Sequence, residues 1–243
     1  MDIRIHPDFQ DPNLAWAANI ITLVIMILLI ISYKKYRNQT ALIFAFACFS
    51  SILGSGILAA SMQLLPDNLP MQIWIANVGA VLLFYCIYSY LALVLIYIKF
   101  RSLSPHYVLF IMLLGFISLL PSLINYEAPT LLASGGYDFH RTFLADFIQF
   151  MLSTILFKGY FSVFVSGYRS TKDKLPLLLL ATGISTIMLG LPLIAISDTA
   201  QLAIIFHYVV IVGWLVTLAS FITAGFINRK TKRSTENLNR QLI

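Results

Sequence analysis

Seven stretches of the chain, residues 14–33, 41–64, 71–98, 107–124, 143–166, 175–196 and 202–227, are almost unbroken runs of apolar residues. Each is long enough to cross about 30 Å of hydrocarbon as a helix. Backbone N–H and C=O groups find no partner in lipid, so a spanning segment is either a helix or a strand of a closed barrel. Barrel strands alternate apolar and polar residues over about ten positions, and these runs do not alternate. The sequence therefore predicts an all-α polytopic membrane protein, a seven-transmembrane-helix bundle over residues 1–228 followed by a basic tail at 229–243. Charged residues are 11% of the chain, far below the roughly 25% of a soluble domain. Seven spans of about 20–25 residues leave only short loops and no soluble catalytic domain.

The loops fix an expected orientation. Lys34, Lys35 and Arg37 follow the first run, Lys99 and Arg101 the third, and Arg169, Lys172 and Lys174 the fifth. Arg229, Lys230, Lys232, Arg233 and Arg240 follow the seventh. The opposite side holds Asp2, Asp8, Asp11, Asp67, Glu127, Asp138 and Asp198 against Arg4 and Arg141. The positive-inside rule then puts the N-terminus outside and the C-terminus in the cytoplasm. Topology accounts for the formal net charge of +6, and no nucleic-acid partner is expected. The first run is of full spanning length and ends in Tyr33-Lys34-Lys35, so it reads as a retained helix and not as a cleaved signal peptide. Cys48 and Cys86 both fall inside apolar runs and predict no disulfide framework.

Polar groups within spans are the candidates for function, because ionisable side chains at membrane depth are costly. Three ionisable residues qualify: Asp146, Lys158 and His207. Gln149 and Ser153 follow Asp146 at helical spacing and share its face. Asn19 and Asn77 lie at a similar depth near the outer ends of their helices. A ligand-binding cavity open to the outside and lined by Asn19, Asn77, Asp146, Gln149 and His207 is one expectation. The other is interhelical hydrogen bonding, worth about 0.6–2 kcal/mol per contact with no ligand involved. Lys158 is expected to extend its stem toward the cytoplasmic interface. Ala47, Ser51, Ser55 and Ala59 recur every four residues and read as a packing stripe. Tyr85, Tyr88, Tyr90 and Tyr97 read as core or interfacial anchors. The segment 125–142, with Pro129, Gly135-Gly136, His140 and Arg141, is either a lid or a surface connector.

No catalytic constellation stands out. Gly183-Ile184-Ser185 has a Gly-x-Ser core, but Ser185 is near mid-helix while His207 is nearer the outer face, so the two are not expected to meet. His6, His106 and His140 are scattered over loops without metal-ligand spacing. The last run holds no lysine for a retinal Schiff base, so no cofactor is expected.

The turn Tyr33-Lys34-Lys35-Tyr36-Arg37 and the long outer segment before the fifth run carry a resemblance. So does Gly167-Tyr168-Arg169-Ser170-Thr171-Lys172-Asp173-Lys174, which leads into a helix with Gly183 and a late Pro192. Together they resemble the seven-helix sensory region at the N-terminus of some bacterial histidine kinases. The resemblance implies a receptor module in a prokaryotic cytoplasmic membrane that binds a small-molecule signal from the outer side. It would pass that signal to a cytoplasmic signalling protein or to a kinase domain following the tail, where Leu238 and Leu242 lie one helical turn apart. An accessory subunit contacting other membrane-complex subunits, and a small-solute transporter, are the competing expectations. Lipid is a partner in all three.

Overall fold

The computed structural model describes residues 5–6, 9–65, 69–133, 136–170, 174–195, 197 and 199–241. Its helices are α1 (Pro12–Tyr36), α2 (Gln39–Leu64), α3 (Pro70–Ile98), α4 (Tyr107–Ile124), α5 (Phe143–Ser170), α6 (Lys174–Ala195) and α7 (Ala200–Gln241). All seven are long and apolar enough to cross a membrane. The charged positions Asp2, Arg4, Asp8, Asp67, Lys172 and Asp198, with Gly135 and Leu242, lie outside the described residues.

Local chemistry sets the helix ends. Asp11 caps α1, its carboxylate accepting from the N–H groups of Asn13 and Leu14 at 2.8 and 3.3 Å, and Pro12 fills the first helical position where no N–H is needed. α1 stops at Arg37, which adopts φ 53°, and Asn38 at once caps α2 by accepting from Thr40 N at 3.0 Å. So short a connection forces α1 and α2 to run antiparallel side by side. Each helix packs on its successor in the chain, α7 returns to α1 to close the ring, and α3 also touches α5. α2, α3 and α6 are the most enclosed helices, while α4 lies on the rim.

The exterior is apolar. Leu109, Phe110, Leu113 and Phe116 of α4 are exposed, as are Phe143, Phe147 and Phe150 of α5 and Ile20, Val24, Ile27 and Ile31 of α1. This repeat at three and four residues is the surface a bundle presents to hydrocarbon rather than to water. Inside, Gly183 and Gly213 let α6 and α7 approach closely: a Cβ on Gly213 would stand 3.0 Å from the Gly183 carbonyl oxygen, and one on Gly183 2.8 Å from that of Gly213.

One end of the bundle is covered by a small β cap. β1 (Ile5–His6) pairs antiparallel with β5 (Arg141–Thr142), and β2 (Phe9–Gln10) pairs with β4 (Tyr137–Asp138), which also pairs with β3 (Thr130–Leu131). The chain turns between β4 and β5 at His140, whose φ of 51° is held by Asp138 accepting from His140 N at 3.1 Å. Tyr137 and Phe139 are driven into a satellite core with Leu58, Met62, Ile73 and Ala80, which fastens the cap to α2 and α3. β2 rests on α7. The segment expected to be either lid or connector is thus tied by backbone pairing to the N-terminal residues. The helical backbone of α7 runs on without a break from Ala200 to Gln241, through the stretch in which Leu238 and Leu242 are expected one helical turn apart.

Candidate functional site

Beneath the cap lies a cavity of about 130 Å³. Its walls come from six helices: Leu14, Ala15 and Ala18 of α1, Phe44, Ser51 and Ser55 of α2, and Val81, Phe84, Tyr85, Tyr88 and Leu91 of α3. Gln149 comes from α5, Ile184, Ile187, Met188 and Leu191 from α6, and His207, Val210 and Trp214 from α7. The cap adds Gln10 from β2 and Arg141 from β5. The polar members gather toward the capped end. Gln149 lies about 9 Å and His207 about 10 Å along their helices from the first residues, Phe143 and Ala200. Deeper in, Phe44, Leu91, Ile184 and Trp214 make an apolar base. The volume is close to the ~150 Å³ cavity that holds a benzene ring.

Arg141 is the residue that sequence reasoning missed. Its position on a loop gave no sign that the guanidinium turns back into the bundle, where the side chain is only 13% exposed. Its Nε lies 3.4 Å from Oδ1 of Asp146, itself 5% exposed. Each ion offsets the cost of burying the other, which accounts for a carboxylate inside a span. Asp146 does not line the cavity but stands behind Arg141. The pair therefore has its cationic member at the wall and its anionic member behind.

The other four candidates separate. Gln149 and His207 line the cavity. His207 Nδ1 lies 2.9 Å from the carbonyl oxygen of Ala203, so Nδ1 carries the hydrogen and Nε2 is the acceptor whenever the ring is neutral. Asn19 is buried one hydrogen bond behind the wall: Ser55 Oγ, which does line it, donates to Asn19 Oδ1 at 2.5 Å and shares its single hydrogen with Ser51 O at 2.6 Å. Asn77 does not join them. It borders a separate, smaller pocket with Trp74, Ser118, Ser122, Phe139 and His140, and Val81 and Arg141 face both spaces. Of the five residues expected at one level, the structure places two at the wall, two behind it and one in a neighbouring pocket.

The polar face of α5 does point inward as a unit. Ser153, a turn below Gln149, is buried and hydrogen-bonds the Tyr88 hydroxyl at 2.9 Å. Of the small-residue stripe on α2, Ala47 and Ala59 are buried in packing, whereas Ser51 and Ser55 also border the cavity. Lys158 is exposed on the outer surface of α5, away from the site.

Comparison with known proteins adds no constraint. No protein-family model, curated protein or solved structure matches the chain. Function must be argued from the cavity itself.

Proposed function

We propose that the chain is a membrane receptor module that holds a small molecule in the cavity beneath the β cap. One observation carries the reading: a bundle packed mostly with apolar side chains holds a benzene-sized space whose lining includes Gln10, Arg141, Gln149 and His207 at its capped end. A mostly apolar pocket with a few placed polar groups is the usual form of a small-ligand site. The capped end faces outward in this reading, because Lys34, Lys35, Arg37, Lys99 and Arg101 lie at the other end. Confinement of the polar lining to the capped half supports reception over transport, since a carrier needs polar groups leading on to both sides. α7 supplies the output. It carries His207 and Trp214 in the cavity wall and continues as one helix to Gln241, about 63 Å in all at 1.5 Å per residue. That is about twice the thickness of the hydrocarbon core.

The test uses benzyl alcohol as a neutral probe of the right size. It should raise the thermal stability of the purified full chain in lipid nanodiscs, and Ala18→Leu, which fills the cavity, should abolish the rise while preserving the fold. A stabilisation that survives the filled cavity places the probe elsewhere and overturns the proposal.

A further inference from the structure

We infer that the bundle holds an anionic phospholipid at the end opposite the cap, its phosphate between Lys99 of α3 and Lys158 of α5 and its acyl chains along the outer face of α5. The site is separate from the cavity, and Lys158 is its starting point. This lysine lies fifteen residues after Phe143, the first of α5, and eight before Ser166, where the apolar span ends. It therefore stands about 12 Å inside that end. An ammonium at such depth is costly unless it is paired or faces a polar space. Lys158 has neither: it is exposed, and it makes no hydrogen bond or ion pair among the described residues. Leu144, Phe147, Ile155, Phe161 and Val165, which share its side of the helix, are exposed and apolar.

A second ammonium is fixed on the same side. Lys99, at which α3 ends, crosses to α5, where its Nζ donates to Ser162 O at 2.9 Å and also to Ser162 Oγ. Ser162 follows Lys158 by four residues, so the two lie on one face, about 6 Å apart along the helix. A lysine stem extending toward the interface covers that offset. Like charges at this spacing repel, and the acidic side chains that the structure describes, Asp11, Glu127, Asp138 and Asp146, all belong to the capped end. Lys99 gives two of its three hydrogens to Ser162, which leaves one, and Lys158 keeps all three. A phosphate that accepts from both ammonium groups pairs Lys158 and removes the repulsion. The surroundings select a lipid phosphate over a free one. From Lys158 back to Leu144 the exposed apolar strip runs about 21 Å, longer than the ~15 Å of hydrocarbon in one leaflet. Acyl chains can thus lie on the strip while the headgroup meets the two lysines. Basic groups between helices at a membrane face are a known seat for anionic headgroups.

The test titrates the purified full chain in nonionic detergent with phosphatidylglycerol or phosphatidylcholine of identical acyl chains. Retained lipid is counted by native mass spectrometry beside the melting temperature. Phosphatidylglycerol should be retained as a single adduct at least tenfold more strongly than phosphatidylcholine, and should raise the melting temperature. The paired change Lys99→Gln with Lys158→Gln should erase that preference, whereas Lys158→Arg should keep it. Lys34→Gln with Lys35→Gln lowers the net charge equally and should leave the preference intact. Equal retention of the two lipids by the unaltered chain overturns the inference. So does a preference that survives the Lys99 and Lys158 changes, or one lost to the same degree with Lys34 and Lys35, since general surface charge would then be its source. Inorganic phosphate should neither stabilise the chain nor displace the lipid; stabilisation equal to that by phosphatidylglycerol makes the occupant a free anion and overturns the lipid assignment. Lys158→Gln alone, on an exposed surface, should weaken the preference severalfold and decides the matter if the paired variant fails to fold.

Discussion

Separating Arg141 from Asp146 gives the sharpest test of how the bundle accommodates its charges. At 3.4 Å, Coulomb's law with an effective dielectric constant near 20 gives about 5 kcal/mol of attraction. Removing one partner loses that attraction and strands the other ion where its side chain is 5% or 13% exposed. The expected cost of either Arg141→Gln or Asp146→Asn alone is about 3–5 kcal/mol. On the scaling for domains of this length, that lowers the melting temperature by about 6–20 °C. Making both changes together removes the desolvation cost along with the attraction, so the double variant should lie within about 1 kcal/mol of the parent. The assay is a double-mutant cycle from thermal or SDS denaturation of the purified protein, read by circular dichroism. A coupling energy of at least about 3 kcal/mol is expected. If the single losses instead add to within about 0.5 kcal/mol, the two side chains act independently. Asp146 would then owe its place in the span to something other than Arg141.

Two further outcomes are expected. Gly183→Val should cost about 1–3 kcal/mol through collision with Thr217 and the Gly213 backbone on α7, whereas Gly79→Ala, with nothing within 4 Å of the new methyl, should be neutral or mildly stabilising; thermal denaturation of the two variants compares them. For orientation, Glu127→Cys should react with a membrane-impermeant maleimide added to intact cells while Lys35→Cys should not, and the reverse pattern would invert the proposed topology.

The helices were legible because nothing in their runs competes with the signal: continuous apolar sequence of spanning length has one backbone solution in lipid. The site was legible only in part. Gln149 and His207 stood out because polar residues inside apolar runs are conspicuous. Depth along a helix can be counted from sequence, but which space a residue borders depends on what fills the gaps, and so Asn77 was grouped with a cavity that Val81, Arg141 and the cap wall off. Arg141 was invisible for a different reason. Its return into the bundle depends on strands two residues long, too short to show any alternation, paired across most of the length of four helices. Ser51 and Ser55 were read as packing, which is half their role, because a small side chain looks the same in sequence whether a neighbouring helix or an empty space lies against it.

The cap also dictates an order of events during synthesis. Ile5 and Phe9 are among the earliest residues made, yet their partners Thr142 and Asp138 follow only after α1 to α4 are complete. Until then the N-terminal strands have nothing to pair with, and closing so long a loop carries an entropic cost that two-residue ladders cannot meet alone. Burial of Tyr137 and Phe139 against α2 and α3 supplies apolar stabilisation that the ladders lack, and holds one half of the cap where the other can join it. The cap is therefore completed late, when β1 and β2 find partners that are made only after α1 to α4.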